Sequence, residues 1–462
     1  MSKMSHDKGF LDLFLSVQKG ERTITALLFT WIFLFICVYY ILRPIRRGLF
    51  LAGLGNEYMP LVYIGTALVT GVVVWLYSKF SKAPRKILIS SVYGIFIVNL
   101  LAWWQIFKHE SPVASGAFWV WLDVFSIMGV TLFWMYANDV CDSNKAKRLF
   151  GVIAAGGGLG AVLGSTITAC LVGTIGTTNL LLVAAGFVAL TLGLFHVLEA
   201  LNKKKNVVER AAAPEFEKAK VSSISGAFKL IFQNKFLLLL LFVVALERVT
   251  PDMVQFLYND ILKSMATGRD AIAAVDANLE RWRGIVEFVV ELFLVSAIVR
   301  KLGSGFCLSS SAGLIFAGVT MFAFVPNPLI LMAVFHGDEA MRHAWFKAAK
   351  ELMYTVTSRD VLYNVKPVIE MFVYRMARGV AGVIIFIVNT ALGLGAKGVM
   401  AAAVICAAGW LFCGWKLSKE YSRLEMEATR RALEAQLGEG SLVGKSIPTE
   451  NSIQDKTIAG KA

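Results

Sequence analysis

The sequence predicts an all-α membrane protein, with about twelve transmembrane helices arranged as two halves of six. Three observations predict it. Apolar residues make up 57% of the 462 positions and charged residues 17%, with a mean hydropathy of +0.64. That is more apolar surface than a soluble core of this length can use. Apolar stretches of roughly 20 residues, the length a bilayer core requires, recur along the chain. A polar segment, Asn202–Ser225, carries Lys203, Lys204 and Lys205 and divides these stretches into two sets.

In chain order, the first set centres near Phe33, Leu68, Phe96, Ser126, Ala161 and Val188. The second centres near Leu241, Val290, Gly313, Ala333, Val380 and Ala403. The resulting boundaries are an N-terminal segment at 1–23, a six-helix half at 24–200, a linker at 201–234, a second half at 235–416 and a tail at 417–462. Six spans, a charged linker and six more is a major-facilitator-like layout, in which two halves enclose a site near the midplane. Residues 417–436 are charged and helix-favouring, which predicts a short helix, with a flexible terminus from Gly438 onward.

Loop charge sets the orientation. Lys3, Lys8, Lys19 and Arg22 precede the first span, and Lys79, Lys82, Arg85 and Lys86 follow the second. Lys145, Lys147 and Arg148 follow the fourth, Arg300 and Lys301 the eighth, and Arg359 and Lys366 the tenth. The alternate loops are nearly free of Lys and Arg, apart from Lys108, Lys397 and a longer segment at Tyr258–Arg281. By the positive-inside rule both termini are expected in the cytoplasm. The same pattern explains the formal charge of +14 without a nucleic-acid partner. The first 23 residues are polar, with no h-region of a signal peptide and no transit-peptide composition. The six cysteines lack CxxC spacing and read as thiols within spans.

The stretch Phe133–Gly164 organises the first half. An aromatic span ends in Asn138-Asp139, a basic turn comes next, and Gly156, Gly160 and Gly164 then recur every four residues. Such a glycine face lets another helix approach closely. An acid at the end of a span is expensive and calls for a partner or a role.

Three other places put charge at bilayer depth, where each costs about 2.5–3.5 kcal/mol on the lenient insertion scale. Arg43, Arg46 and Arg47 share one face of the first helix, beside Pro44. They lie at its outer end, where arginines are disfavoured, so the residues suit polyanion binding as well as snorkelling. Glu247, Arg248 and Asp252 flank Pro251 in the seventh span. A helix broken at either proline would free backbone groups. His336, Glu339, His343, Lys347, Lys350 and Tyr354 form one helical stripe in the tenth, expected to face a water-filled interior. His336, Glu339 and His343 have helical ligand spacing, but the nearby lysines repel a cation, so no metal is expected.

Gly156-Gly157-Gly158-Leu159-Gly160 is not followed by Lys-Ser/Thr, so it is no Walker A loop, and no HExxH, GxSxG or kinase set is present. The chain reads as a carrier and not an enzyme, with no cofactor.

From Thr23 to Trp415 the chain resembles the bacterial and plastid ATP/ADP translocases, nucleotide transporters of the major-facilitator type. The resemblance rests on two stretches. One is Trp134-Met135-Tyr136-Ala137-Asn138-Asp139 with Lys145-Ala146-Lys147-Arg148-Leu149-Phe150. The other is Trp345-Phe346-Lys347-Ala348-Ala349-Lys350-Glu351-Leu352-Met353-Tyr354, continuing to Lys366, Ile369-Glu370 and Arg375. The resemblance implies a twelve-span carrier that exchanges nucleoside phosphates without hydrolysis; a monomer is expected. Asp139 matches the family's acid in the fourth span, Glu247 the acid in the seventh, and Lys350 the lysine of Lys-Glu-Met. Arg46-Arg47 stands where a Lys-Asp pair is usual, Ile-Asp has become Ile369-Glu370, and the second lysine near Lys366 is gone.

A nucleoside triphosphate brings about four negative charges, which need fixed cations in a low-dielectric path. Arg43, Arg46, Arg47, Lys347 and Lys350 are the expected cations, with Asp139 and Glu247 as their partners when cargo is absent. Tyr39, Tyr40, Trp134, Tyr136 and Phe346 are available to stack on a base. Two other readings stay open: a proton-coupled carrier of another phosphorylated or anionic solute, with Asp139 or His343 as relay, and a membrane receptor or scaffold that uses the tail.

Overall fold

The computed structural model describes residues 18, 20–80, 84–109, 111–141, 143–209, 224–293, 295–357, 365, 366 and 368–439. Lys3, Lys8, Lys19, Lys82, Arg359 and the tail beyond Glu439 therefore lie outside the described residues. No strand occurs among the described residues.

The first half contains α1 (Arg22–Gly53), α2 (Met59–Phe80), α3 (Arg85–Ile106), α4 (Pro112–Val140) and α5 (Ser143–Glu209). α5 is two arms joined at Gly176, whose φ of 76° is open to glycine at little cost. A short helix, α6 (Ile224–Gln233), leads into the second half at an angle of 107° to α7 (Lys235–Met265). The Asn234 side chain between them accepts from the Phe236 and Leu237 amides and so caps α7. Next come α8 (Arg269–Phe293), α9 (Val295–Phe324, interrupted at Gly303) and α10 (Pro328–Met341). A π turn at Arg342–Phe346 joins α10 to α11 (Lys347–Met353). α12 (Tyr374–Ile385) is flanked by π turns at Val368–Val373 and Phe386–Ala391, and α13 (Gly395–Glu439) ends the described chain.

Among the described residues, seven helices are long and apolar enough to cross a membrane, or eight if the bent α6–α7 pair counts as one span. One of the seven is the two-armed Arg148–Leu201. Each span centre read from the sequence falls within one of the helices α1 to α13.

Several expectations need correction. Helix α8 occupies Arg269–Phe293, so most of the supposed loop Tyr258–Arg281 is helix and the connection is only 266–268. Eight of the 25 residues of α8 are charged, which hid it from a hydropathy reading. Pro44 and Pro251 sit inside α1 and α7 without ending them. The helix expected at 417–436 is present but is continuous with the last apolar helix.

The glycine face of α5 packs on α1 as its spacing predicts. A Cβ at Gly156, Gly160 or Gly164 would strike the carbonyl oxygen of Phe29, Phe33 or Cys37 respectively, backbone against backbone. The core divides in two. One cluster centres on α1, α3, α4 and α5, including Trp31, Phe35, Phe125 and Phe133. The other centres on α7, α9, α10 and α13, and also takes in Phe50, Met59, Tyr63 and Trp119 from the first half.

The halves meet through α1 and α5 against α8, and through α2 against α12. At one end of the bundle, beside the turns at 54–58 and 266–268, the contact is close. Gly48 leaves no room for a Cβ beside the Arg269 carbonyl, and Gly382 is similarly placed against Pro60. The Asn56 amide donates to the Phe256 carbonyl (2.9 Å) and to Asp260 (2.8 Å), and Asn259 donates back to Asn56 (3.1 Å). Asp270 accepts from the Thr177 amide (2.8 Å), so a side chain of the second half caps the second arm of α5. These contacts close that end.

Candidate functional site

A cavity of roughly 230 Å³ lies between the halves. Six arginines line it, Arg43, Arg46, Arg248, Arg342, Arg375 and Arg378, against three carboxylates, Asp123, Asp252 and Glu339. The formal excess is three positive charges. Tyr39, Phe335 and Tyr374 supply aromatic surface in the same wall.

The helices place these charges by ordinary periodicity. Arg43, Arg46 and Arg47 lie on one face of α1 and are all buried. On α8, Asp276, Glu280, Arg283 and Glu287 keep a spacing of four, three and four, which puts them on one stripe. The two stripes meet. Arg43 pairs with Glu280 (3.3 Å) and with Glu339 of α10 (2.5 Å). Arg47 pairs with Asp276, which also accepts from the Tyr258 hydroxyl at 2.9 Å. Arg283 pairs with Glu280 (2.8 Å) and Glu287, and donates to the Tyr40 hydroxyl (2.8 Å).

A second chain of charges crosses the cavity. Arg46 pairs with Asp123 of α4 at 2.7 Å, and Asp123 pairs also with Arg378 of α12. Arg378 reaches Asp252 of α7 at 3.2 Å, and Asp252 pairs with Arg248 at 3.0 Å. Cation and anion alternate over five residues, two from the first half and three from the second. Each carboxylate is shared by two arginines, so two anions serve three cations and one positive charge is left over. The Arg46 guanidinium also lies over the Trp119 ring, 4.1 Å from its centroid.

Of the residues singled out from sequence, Arg43 and Arg46 line the cavity, and Arg47 lies just behind it in the Asp276–Glu280 pair. Glu247 and Lys350 form a separate buried cluster inside the second half. Lys350 bridges Glu247 (3.1 Å) and Glu370 (2.8 Å), and Tyr354 donates to Glu370 (3.0 Å). Lys347 is exposed and does not line the cavity. Asp139 lies well away, half exposed, paired with Arg85 at 2.9 Å. The expected stripe of α10 and α11 is split by the π turn at Arg342–Phe346, which inserts an extra residue per turn and rotates the residues after it. Glu339 faces the cavity, whereas His343 is exposed beside Glu287 at 3.0 Å. Tyr39 lines the cavity, whereas Trp134, Tyr136 and Phe346 are packed within the cores.

Asp123, Asp276, Glu280, Arg283, Arg342 and Arg378 were not read from the sequence. The α8 spacing could have revealed three of them. Asp123 and Arg378 are single charges in long apolar runs, and their depth alone was the available signal. Glu280, His336 and Glu339 bring three potential ligand atoms within 4.8 Å of one another. Both carboxylates already face the guanidinium groups of Arg43 and Arg283, a setting that suits an anion and repels a metal cation.

The arrangement can hold and exchange an anion. Arginine forks match phosphate oxygens in pairs, and the carboxylates keep the forks aligned without cargo. At roughly 230 Å³ the cavity is below the 300–1,000 Å³ usual for small-molecule sites, so a large anion does not fit without movement of the wall.

Comparison with known proteins agrees with this geometry. The crystal structure of the nucleoside transporter NupG superposes with a TM-score of 0.60, covering 85% of this chain and 98% of that one at 14% identity. A D-xylose–proton symporter gives 0.57, covering 84% and 97% at 12% identity. These likenesses establish the fold, the multi-pass helical fold that those two proteins share. ADP,ATP carrier protein 1 of Chlamydia trachomatis is 22% identical over 380 residues, 74% of this chain and 70% of that protein. The protein of the same name from Rickettsia bellii is 21% identical over 339 residues, 65% and 67%. The description TLC ATP/ADP transporter matches residues 118–421, well over half of the sequence. The chain belongs to the TLC ATP/ADP transporter family, whose members are carriers and not enzymes.

Proposed function

We propose that the protein exchanges nucleoside phosphates of the ATP/ADP type across a bacterial inner membrane, by alternating access of its two halves and without hydrolysis. The observation that carries this reading is the cavity between the halves, with its arginine excess. A polyphosphate entering it competes with Asp123, Asp252 and Glu339 for their arginines. Once those carboxylates lose their partners, the pairs that tie α1 to α10, and α4 to α12, no longer hold the halves together. Rocking then exposes the site to the other side. An empty cavity re-forms its ion pairs, which makes the return step costly without cargo and favours exchange over net transport.

By loop charge the closed end is the outer one, with both termini on the cytoplasmic side. The acids partnering the cavity arginines are Asp123, Asp252, Glu280, Asp338 and Glu339. Glu247 serves Lys350 instead, and Asp139 stays at the surface.

Counterflow in proteoliposomes tests the proposal. Vesicles loaded with ADP should take up labelled external ATP, and unloaded vesicles should not. Folded protein that gives no ADP-dependent uptake of any nucleotide would overturn it. Uptake driven by an imposed pH gradient, independent of internal nucleotide, would favour a proton-coupled anion carrier.

A further inference from the structure

The charged residues of the cavity are not equivalent. Arg43, Arg46, Arg248, Arg342 and Arg378 each pair with a carboxylate. Arg375 does not. It lines the cavity from α12, one turn from Arg378 and on the same face, and among the described residues it has no ion-pair or hydrogen-bond partner. Its Nη1 is buried and unsatisfied. A buried donor left without an acceptor costs about 1–3 kcal/mol, and more when charged, so the position is destabilising unless something else uses it.

Resting on the exchange reading, we propose that Arg375 is the first phosphate-docking residue and sets the charge of the cargo that the cavity accepts. Every other cavity arginine must be taken from a carboxylate before it can bind phosphate. Arg375 is already free of any carboxylate, and the desolvation of its Nη1 is already part of the folded state. A polyphosphate therefore engages Arg375 first through its terminal phosphate. From there the next phosphate oxygens lie against Arg378, whose carboxylates Asp123 and Asp252 each have a second arginine to fall back on. The chain of pairs opens from that end. A diphosphate or triphosphate is long enough to hold Arg375 and compete for Arg378 together, and a monophosphate satisfies Arg375 alone. Discrimination by phosphate number thus starts at this residue.

The test uses purified full-length protein with Arg375→Gln and Arg375→Lys, and two readouts. The first is thermal stabilisation in detergent by inorganic tripolyphosphate, pyrophosphate and orthophosphate, which needs no nucleobase. The second is competition of AMP, ADP and ATP, with adenosine as an uncharged control, against counterflow. Wild-type protein should be stabilised in the order tripolyphosphate, pyrophosphate, orthophosphate. Arg375→Gln should lose at least tenfold in apparent affinity for tripolyphosphate and ATP while narrowing the preference over the monophosphates. Arg375→Lys should keep most of it.

Equal loss for adenosine and ATP would mean that Arg375 only shapes the cavity, and would overturn the inference. So would unchanged polyphosphate affinity in Arg375→Gln, or wild-type protein that no polyphosphate stabilises. Wild-type protein that binds tripolyphosphate through Arg375 yet exchanges no nucleotide would leave the docking residue standing and sink the nucleotide reading alone.

Discussion

Arg43 and Lys350 are both buried cations, each held by two carboxylates, but they are joined to the fold differently. Arg43 sits on α1 in the first half, and its partners Glu280 and Glu339 belong to α8 and α10 in the second. Lys350 sits on α11 with Glu247 of α7 and Glu370, all within the second half. Rocking the halves must stretch the first cluster and can leave the second untouched. Charge at bilayer depth signals a role in both cases. Whether that role is motion or support depends on which bodies the partners belong to.

The largest effect expected from this difference is at Arg43. Removing one partner of a buried pair costs about 3–5 kcal/mol, so Arg43→Ala should lower counterflow by about 100-fold or more. Replacing Glu339 with Gln in the same chain should relieve the stranded charge without restoring exchange. Recovery of exchange in that double variant would show that the cross-half pair is not used in the cycle.

Lys350→Ala should also stop uptake, as the sequence alone suggests, but through stability. A loss of about 3 kcal/mol should appear as a lower melting temperature of the inserted protein. Lys350→Met with Glu247→Gln removes both charges and should recover melting temperature and part of the exchange. A double variant that is stable yet inactive would move Lys350 into the cargo path.

Gly48 offers a smaller perturbation. It packs against the Arg269 carbonyl at the closed end, and overpacking typically costs about 1–3 kcal/mol. Gly48→Val should slow exchange by about tenfold and lengthen the distance between spin labels at Glu57 and Lys263 by several ångströms. An unchanged distance would show that this contact does not set closure.

Asp139 should matter least. Its pair with Arg85 is half exposed, and such pairs are worth under about 1 kcal/mol. Asp139→Asn should leave exchange within twofold, and a larger loss would return Asp139 to the mechanism.

Hydropathy explains which of these charges were legible in the sequence. Arg43, Arg46 and Arg47 stand out because three charges interrupt a long apolar run. The same logic fails on α8, where charge is so frequent that the segment reads as a loop. Only the spacing of Asp276, Glu280, Arg283 and Glu287 shows a helix that is polar on the face turned toward α1. The α10–α11 stripe failed for another reason. Its periodicity assumed a regular helix, and the π turn at Arg342–Phe346 changes the phase, which side-chain type does not announce. The prolines misled in the opposite direction. Pro44 and Pro251 each remove one amide from a ladder that nevertheless continues past them. The glycine face of α5 was legible because close backbone approach needs a missing Cβ, and that need is written in the residue type.

The last helix carries one mechanical consequence. α13 runs without a break from Gly395 through its apolar section to Glu439, so the part beyond Lys416 is a rod fixed to the second half. At 1.5 Å per residue that rod is about 35 Å long, and a tilt of about 10° in the half swings its tip by about 6 Å. The helix therefore works as a pointer, amplifying a small rotation inside the bilayer into a displacement that a distance probe outside it can read.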